Sequence, residues 1–471
     1  MGEEIADSRF TDEDFAEFRR RLDRETALLG EWIAAGGLRC AEPYGGFELE
    51  AWLIDREGFP APVNEAFLHD LGHPLVVPEL STFNVELNTP PVRLGPGVFD
   101  TMHRELAALW GACEAEAARH SATMLMIGTL PTVRQSDLLL ANMSSLQRYR
   151  ALNEQVFRLR HGAPIRLDIR GREHLTREHW DVMLEAAATS FQIHLKVDAA
   201  LAGRAFNASK ILSAPMVALA ANSPYLFGHD LWAETRIPLF EQAVSVGGSD
   251  YSKRVTFGIR YVQDSIMECF EANRMRYPVL LPMLVDGPAE NLSHLRLHNG
   301  TVWRWNRPLV GFSADGRPHL RIEHRVSPSG PTPRDLVANA AFYFGAVGAL
   351  LGTTEAPEAA VPFADAKANF YAAAEHGLAA RVRWQGREVA LSTLCLERLL
   401  PLARQGLERV GVPAVESAEW LGILERRIRS GRTGADWQRR WVARHGADFA
   451  GLVQVYRQRQ SADRPVHEWE V

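Results

Sequence analysis

The chain has 471 residues, of which 46% are apolar and 23% charged, a composition typical of a soluble globular protein. Its formal net charge of −6, from 58 acidic and 52 basic residues, argues against nucleic acid or an anionic membrane as the main partner. The four cysteines lie too far apart for a disulfide framework or a zinc knuckle, and Met1–Asp14 lacks the apolar core of a signal peptide. We therefore expect a protein of the reducing cytoplasm.

The periodicity of apolar residues predicts helices and strands along most of the chain. An apolar stripe predicts a first helix over 11–35, capped by Thr11 or Asp14. The elements that follow are a strand near Gly46, a strand around Glu86, a helix over 100–120, a strand over 124–129, helices over 142–162 and 177–189, a strand around His194, a helix over 209–221, and a strand pair within 286–330 with a turn at 313–317. Residues 240–275 show no clear pattern. Helices predominate after Pro331 to about residue 460, and we expect the last dozen residues to be loose.

This order of elements predicts the α+β class. We expect residues 1–335 to form a catalytic region, and residues 336–460 to form a helical region packed on it as part of one integrated unit. Leu336–Gly352 is the stretch that most resembles a membrane span, but it contains Asn339 and many small residues and follows a helix start at Thr332. We interpret it as a buried helix, so no membrane partner is predicted.

Four segments of the chain alternate apolar and polar residues, as half-buried strands do. In the first segment Phe47 and Leu49 face one side, while Glu48 and Glu50 face the other, roughly 7 Å apart along the strand. The polar side chains of the other three segments are Asn84, Glu86 and Asn88; Gln192, His194 and Lys196; and Arg321, Glu323 and Arg325. One antiparallel sheet built from these strands would carry a core on one face and a basin of carboxylates, an imidazole and guanidiniums on the other.

A basin of this composition is suited to metal ions and phosphates. Glu79 lies seven residues before Glu86, so a turn between them would bring another carboxylate beside Glu48 and Glu50. Carboxylates this close repel one another unless cations neutralise them, and magnesium is the usual hard ion beside phosphates. A lone Glu-x-Glu pair is more often a solvated strand face. The prediction of a metal site therefore depends on the recurrence of the pattern.

The other polar side chains of the strands also have ordinary structural interpretations. His194 could be a histidine satisfied by a single hydrogen-bond partner. Arg321, Glu323 and Arg325 could form a cross-strand ladder of ion pairs. Alternatively the glutamate binds metal, and the two arginines hold phosphate oxygens in bidentate contacts.

Two more arginines, Arg304 and Arg307, lie just upstream, either as surface side chains stacked on tryptophan or as added positive charge for phosphates. The sequence lacks a Gly-Lys-Ser/Thr phosphate loop and a Gly-x-Gly-x-x-Gly turn after a strand. It also lacks a Gly-x-Ser-x-Gly elbow and a His-Glu-x-x-His motif. Phosphate chemistry in this protein would therefore depend on metals and arginines.

Taken in order, these segments resemble the glutamate–cysteine ligases and, more widely, the glutamine-synthetase-like carboxylate–amine ligases. The resemblance spans about residues 40–450 and rests on Glu48-Leu49-Glu50, Glu79 to Glu86 with Asn88-Thr89-Pro90, Ile193-His194, Ala221-Asn222-Ser223-Pro224, Arg321-Ile322-Glu323-His324-Arg325, Gly406-Leu407-Glu408-Arg409 and Arg427 to Thr433. It implies a curved antiparallel sheet that forms the active-site basin, flanked by helices. It also implies ATP and magnesium, with manganese as an alternative ion, and an acyl-phosphate formed on a carboxylate, usually the γ-carboxylate of glutamate.

The same resemblance implies roles for individual residues. The implied metal ligands are Glu48, Glu50, Glu79, Glu86, His194 and Glu323. The implied catalytic arginines, which would contact the transferred phosphate, are Arg321, Arg325 and Arg304. The implied substrate contacts are Arg236, Asn222, Gln192 and Arg307, with Arg236 in the position of the arginine that grips the amino-acid carboxylate. No residue after Arg325 can be assigned to recognition of a cysteine thiol. The identity of the acceptor amine therefore stays open.

The sequence thus predicts an ATP-dependent carboxylate–amine ligase for small amino-acid and amine substrates, with γ-glutamylcysteine as the best single guess for the product. Two alternatives stay open. One is a phosphotransfer kinase acting on a small guanidino or carboxylate substrate, and the other is a nucleotide-binding relative that has lost turnover. The many retained acids speak against the second alternative, because unpaired buried carboxylates are costly. The sequence does not predict an oligomeric state.

Overall fold

The structure, a computed structural model, describes residues 10–247 and 251–471. The beginning of the chain, predicted to lack a signal segment, lies mostly outside the described residues. The described strands are β1 Tyr44–Ile54, β2 Val76–Pro78, β3 Asn84–Asn88, β4 Val92–Arg93, β5 Thr123–Leu125, β6 Ile165–Arg170, β7 His174–His179, β8 Ser190–Val197, β9 Tyr225–Leu226, β10 His229–Asp230, β11 Asn306–Phe312, β12 Pro318–Pro328, β13 Arg381–Trp384 and β14 Arg387–Ala390.

The α-helices surround these strands and dominate the second part of the chain. They are α1 Asp12–Ala34, α2 Asn64–Leu71, α3 Val98–Arg119, α4 Gln147–Leu159, α5 Ala199–Ala220, α6 Arg236–Ala243, α7 Met267–Arg276, α8 Ser293–Gly300, α9 Pro333–Leu351, α10 Phe363–His376, α11 Leu391–Leu394, α12 Leu400–Arg409, α13 Ala414–Ser430, α14 Gly434–His445 and α15 Phe449–Ser461. The α+β class predicted from the order of elements is confirmed.

One curved antiparallel sheet organises the fold. Its strands follow the path β11-β12-β8-β1-β3-β2, and β4 and β5 also pair with β1. The four strands predicted from alternation, β1, β3, β8 and β12, are therefore consecutive neighbours. The sheet curls into a half-barrel, which confirms the predicted basin-shaped sheet.

The convex face of the sheet packs on helices. Phe47 and Leu49 of β1 are fully or almost fully buried on this side. Phe47 stacks on Phe344 of α9 with the ring centroids 6.4 Å apart, and α5 packs against β12 beside it. Strands of the first part of the chain and helices after residue 332 thus contribute to one hydrophobic core.

Helix α9 confirms the interpretation of Leu336–Gly352 as a buried helix. Thr332 caps the helix by accepting a hydrogen bond from the Asp335 amide, and Pro333 occupies its first position. Asn339 is 1% exposed and accepts a hydrogen bond from Arg427 at 2.7 Å, so the polar residue in this apolar stretch has a specific partner. Within residues 10–247 and 251–471, no helix has the length and apolar character needed to cross a membrane.

The helix predicted over 177–189 is wrong. Its first residues belong to β7, which pairs with β6 as a hairpin, and a 3-10 helix over Val182–Ala187 follows. Three apolar residues of β6, Ile165, Leu167 and Ile169, alternate with exposed residues in this hairpin and are buried. Pairing with β6 therefore overrides the local helical preference of the residues in β7.

The last dozen residues are not loose, contrary to the prediction. Val466 is fully buried and Trp469 is 3% exposed. The Trp469 ring packs edge-on against Trp437 and Tyr456, with centroid distances of 5.4 and 5.1 Å. These aromatic contacts hold the end of the chain in a second hydrophobic core. The sequence-based prediction also missed the hairpin of β13 and β14.

Candidate active site

Three of the six predicted metal ligands meet on the concave face of the sheet and form the first cluster. Glu48, His194 and Glu323 come from the consecutive strands β1, β8 and β12, and Glu323 lies opposite His194 in the strand register. One ligand atom from each side chain lies within 4.8 Å of the others. His194 Nε2 is 3.1 Å from Glu48 Oε1. One oxygen-preferring ion with an imidazole ligand fits this donor set.

A second cluster lies beside the first. Glu50 of β1 faces Glu86 of β3 across the register, and Glu79, just after β2, joins them. Carboxylate oxygens of these three residues lie within 4.8 Å of one another. The turn between Glu79 and Glu86 therefore brings both carboxylates into the basin, as predicted from the sequence. All six predicted ligands converge on this basin in two groups of three.

The electrostatics of the second cluster show its need for positive charge. Burial and the neighbouring Glu50 and Glu185 raise the pKa of Glu79 to about 8. Burial, Glu48 and Glu79 likewise raise the pKa of Glu86 well above its usual range. The pKa of Glu50 is raised by burial, although Arg325 opposes the shift. A divalent cation among these oxygens would relieve the repulsion, so the donor set fits magnesium.

The acids of the first cluster already have neighbours that favour their ionised form. Burial alone would raise the pKa of Glu48, but His194 and Arg321 hold it well below its usual range. Burial also opposes ionisation of Glu323, yet the guanidiniums of Arg307 and Arg325 lower its pKa to about 2. Both carboxylates are therefore ionised at neutral pH without any added ion.

Gln192 and Ser190 orient the carboxylate of Glu50. Ser190 donates from its backbone amide at 2.6 Å and from its hydroxyl at 2.8 Å, and Gln192 Nε2 donates at 3.0 Å. The amide oxygen of Gln192 accepts a hydrogen bond from Arg325. Gln192, predicted as a substrate contact, thus lines the basin and links a metal-ligand candidate to an arginine.

Three arginines of β11 and β12, Arg307, Arg321 and Arg325, line the same basin. Arg307 Nε and Nη2 each donate to Glu323 at 2.9 Å, and Arg325 Nη1 donates to it at 3.2 Å. Arg321 Nε donates to His194 Nδ1 at 3.1 Å. Gly311 leaves room for this side chain, because a Cβ there would lie 2.5 Å from Arg321 Nη1. The arginines are therefore held within the basin by named contacts.

Two predicted substrate contacts lie outside the basin lining. Arg236 is 2% exposed, and its Nη2 donates to the backbone carbonyls of Arg325 at 3.2 Å and Val326 at 2.5 Å. Asn222 is fully buried and donates to the carbonyl of Ser329 and the hydroxyl of Tyr456, both at 2.8 Å. In this structure both side chains support the backbone around β12 and do not face the space beside the clusters.

Arg304, predicted to be catalytic, also lies outside the basin. It lines a separate and smaller cavity together with Lys210 and Cys269, while its neighbour Trp303 lines the basin. Arg304 precedes β11, so the alternation of the strand could not predict its direction.

Sequence reasoning missed several residues of the basin wall. Glu185 sits in the 3-10 helix that was predicted as part of a long helix, and Arg148 and Tyr149 belong to α4. The arginine-rich composition of residues 142–162 was visible, but composition alone does not orient a helix toward a basin. The apolar part of the wall includes Phe240, Phe270, Leu295, Trp303 and Val310.

Comparison with known proteins agrees with this geometry. A crystal structure of glutamate–cysteine ligase from Francisella tularensis in complex with AMP is similar with a TM-score of 0.55 and 14% identity, over 92% of this chain and 91% of that one. A bifunctional glutathione synthetase from Pasteurella multocida is similar with a TM-score of 0.56 and 12% identity; the match covers 92% of this chain but only 54% of that one. At these identities the similarity establishes the glutamine-synthetase-like fold. No curated protein sequence gives a significant match.

The sequence profile of glutamate–cysteine ligase family 2 (GCS2) matches residues 45–456 and thus includes all six ligand candidates. The chain belongs to glutamate–cysteine ligase family 2, and with it to the ATP-dependent carbon–nitrogen ligases that join a carboxylate to an amine.

Proposed function

We propose that the protein joins the γ-carboxylate of glutamate to an amine through an acyl-phosphate, using ATP and magnesium, with cysteine as the first acceptor to test. The observation that carries this proposal is the convergence of six predicted ligands in two groups of three on one basin. Arg307, Arg321 and Arg325 line the same basin. Carboxylates for cations beside guanidiniums for phosphates are what phosphoryl transfer to a carboxylate requires.

Two ions would be held by the two clusters, one by Glu48, His194 and Glu323 and the other by Glu50, Glu79 and Glu86. When bound, magnesium neutralises phosphate charge and polarises phosphoryl oxygens. The donor sets fit this ion, since five of the six groups are carboxylates and three of them have raised pKa values.

Arg321 and Arg325 line the basin and would contact the transferred phosphate. A neutral imidazole carries one proton, so His194 cannot both accept from Arg321 at Nδ1 and offer a lone pair at Nε2. Use of Nε2 as a ligand atom therefore breaks the 3.1 Å hydrogen bond from Arg321 and frees its Nε–H. We infer that Arg321 is recruited to phosphate oxygens when the first cluster is filled.

The remaining wall of the basin suits a reaction that must exclude water. A free carboxylate is a poor acyl donor, and the acyl-phosphate that activates it is open to hydrolysis. Apolar side chains such as Phe270, Leu295 and Trp303 form part of the basin lining. We infer a cytoplasmic location, supported by four free cysteines, and small-molecule partners only.

The test measures ADP release from magnesium ATP with glutamate and a panel of amines, together with mass-spectrometric detection of the product. The proposal predicts glutamate-dependent ADP release that an amine accelerates, with one amide formed per ADP. A stable phosphorylated product without an amide would favour the kinase alternative. Absence of amino-acid-dependent ADP release across a broad panel of carboxylates and amines would overturn the proposal.

A further inference from the structure

Glu185 is a basin carboxylate to which the metal clusters assign no role. It lies in the 3-10 helix Val182–Ala187, whose start is capped by the side chain of Asp181 accepting from the Met183 amide. Its side chain faces the same cavity as Glu50 and Glu79. Among the described residues, no hydrogen-bond or ion-pair partner neutralises the Glu185 carboxylate.

The surroundings of Glu185 favour a positively charged ligand. Burial and Glu50 raise the pKa of Glu185 to about 8, while Arg325 opposes the shift. Leaving such a carboxylate without a partner in a partly apolar wall costs free energy, and a cationic ligand would offset that cost. A carboxylate that lines the cavity without a partner thus favours a cationic ligand.

The geometry distinguishes a metal ion from an organic cation. The described groups whose ligand atoms lie within 4.8 Å of one another include Glu50, Glu79 and Glu86 but not Glu185. Glu185 is therefore not a member of that set in this structure, although it lines the same cavity. The nearby wall contains Leu152 and Val182, which suit the carbon body of a small organic substrate.

We propose that Glu185 binds the primary ammonium group of a substrate and thereby places that substrate beside the second cluster. This inference rests on the proposed ligase function, in which both substrates carry such a group. The ammonium could belong to the attacking amine or to the α-position of the carboxylate substrate. The chemistry is the same in both cases, and the experiment separates the two sources.

The kinetic experiment compares the wild type with Glu185→Gln, which keeps the shape of the side chain and removes its charge. Loss of a charged hydrogen bond predicts a rise of about 10- to 100-fold in KM for the substrate that carries the bound ammonium. KM for ATP and the magnesium concentration at half-maximal rate stay unchanged. A rise for cysteine alone assigns the acceptor, and a rise for glutamate alone assigns the α-ammonium of the donor. A shifted magnesium requirement would overturn the inference, because Glu185 would then be a metal ligand.

The matched control is Glu154→Gln, a substitution at an exposed glutamate of α4, which leaves all KM values unchanged. Glu185→Asp, which retains the charge, restores part of the lost affinity and remains informative if Glu185→Gln folds poorly.

If the wild type releases no ADP, a calorimetric experiment tests the role of Glu185 separately from the proposed ligase function. Cysteine, glutamate and their N-acetyl derivatives are titrated into protein with magnesium and a non-hydrolysable ATP analogue. The inference predicts that Glu185→Gln weakens binding of one amino form and leaves the N-acetyl forms unaffected. Equal binding by both proteins, or no binding of either amino acid to the wild type, would overturn it.

Discussion

At the scale of single residues, Glu323 joins two arginines of the basin to the first cluster. It accepts two hydrogen bonds from Arg307 and one from Arg325, and it belongs to the first cluster. Glu323→Gln removes the charge that pairs with both guanidiniums and that the proposed cation would require. We expect the rate of ADP release to fall about 100-fold or more, since the electrostatic stabilisation of the transferring phosphate is lost.

The control for this prediction is Glu388→Gln, a surface residue of β14 whose side chain is 59% exposed and pairs with Arg381. It should retain wild-type turnover. Both variants are compared at equal folded fraction, determined from their denaturant midpoints. Wild-type turnover by Glu323→Gln would show that the first cluster is not part of the chemistry.

The burial of His324, next to Glu323 in sequence, predicts a pH dependence of the unfolding free energy. Burial lowers its pKa to about 3, and the ring stacks on Tyr343 with centroids 4.4 Å apart. The folded state keeps this histidine neutral, while the unfolded chain takes up a proton below its ordinary pKa of about 6.5. The unfolded state then binds more protons, so stability falls as pH decreases through that value. His324→Gln should remove about 1 kcal/mol of the loss in unfolding free energy between about pH 7.5 and about pH 5.5.

Chemical denaturation at the two pH values checks this, with His69→Gln as the control at a side chain that is 87% exposed. The control should follow the wild-type pH dependence. An unchanged pH dependence in His324→Gln would mean that His324 is not held neutral in the folded protein.

The ligand candidates on strands were predictable from sequence, because alternation fixes the face of each side chain and the register brings Glu50 opposite Glu86. Arg236 and Asn222 were not, since a helix start and a turn leave the direction of the side chain open. Their hydrogen bonds to backbone carbonyls depend on chain segments far away in sequence, which no local pattern reports.

At the scale of elements, a buried ion pair joins α9 and α13. Arg427 Nη2 donates to Asp335 at 2.6 Å, and its Nη1 donates to the Leu219 carbonyl at 2.9 Å. Arg427→Met leaves Asp335 buried without its partner, and such a loss costs about 3–5 kcal/mol of unfolding free energy. Arg429→Met, at an exposed position of the same helix, should cost about 0.5 kcal/mol or less.

Urea titration of the two variants measures the difference. Equal stabilities would show that the α9–α13 contact does not depend on the charge pair.

The missed 3-10 helix illustrates the limit of sequence reasoning at this scale. The segment after Asp181 has helical composition, but pairing of β7 with β6 ends the regular pattern just before it. Glu185 was overlooked for that reason.

At the scale of the whole molecule, the end of the chain closes the second hydrophobic core. Trp469 is 3% exposed and donates from its ring nitrogen to the Arg464 carbonyl at 2.7 Å. Trp469→Ala should lower the unfolding free energy by about 3–5 kcal/mol, because it leaves a cavity among aromatic rings. Trp180→Ala is the matched control, since that tryptophan is 65% exposed. Thermal unfolding measures the Tm of both variants. Equal Tm values for Trp469→Ala and Trp180→Ala would contradict this role of the C-terminal segment.

The α+β class and the antiparallel sheet could be predicted from element order and strand alternation, while the curvature of the sheet was implied by the family resemblance. The closing C-terminal contacts could not, since Trp437, Tyr456 and Trp469 meet only through tertiary packing. The apolar wall of the basin could not be predicted either. Helices α6, α7 and α8 contribute residues to this wall. Residues 240–275, which cover much of this stretch, show no clear periodic pattern.

The central claim is that two groups of three side chains hold cations in one basin. Crystals grown with manganese and an ATP analogue, recorded at a wavelength where manganese scatters anomalously, test it most directly. The account predicts one anomalous peak among Glu48, His194 and Glu323 and another among Glu50, Glu79 and Glu86. Ordered nucleotide with no peak at either cluster, or with manganese bound elsewhere, would contradict it.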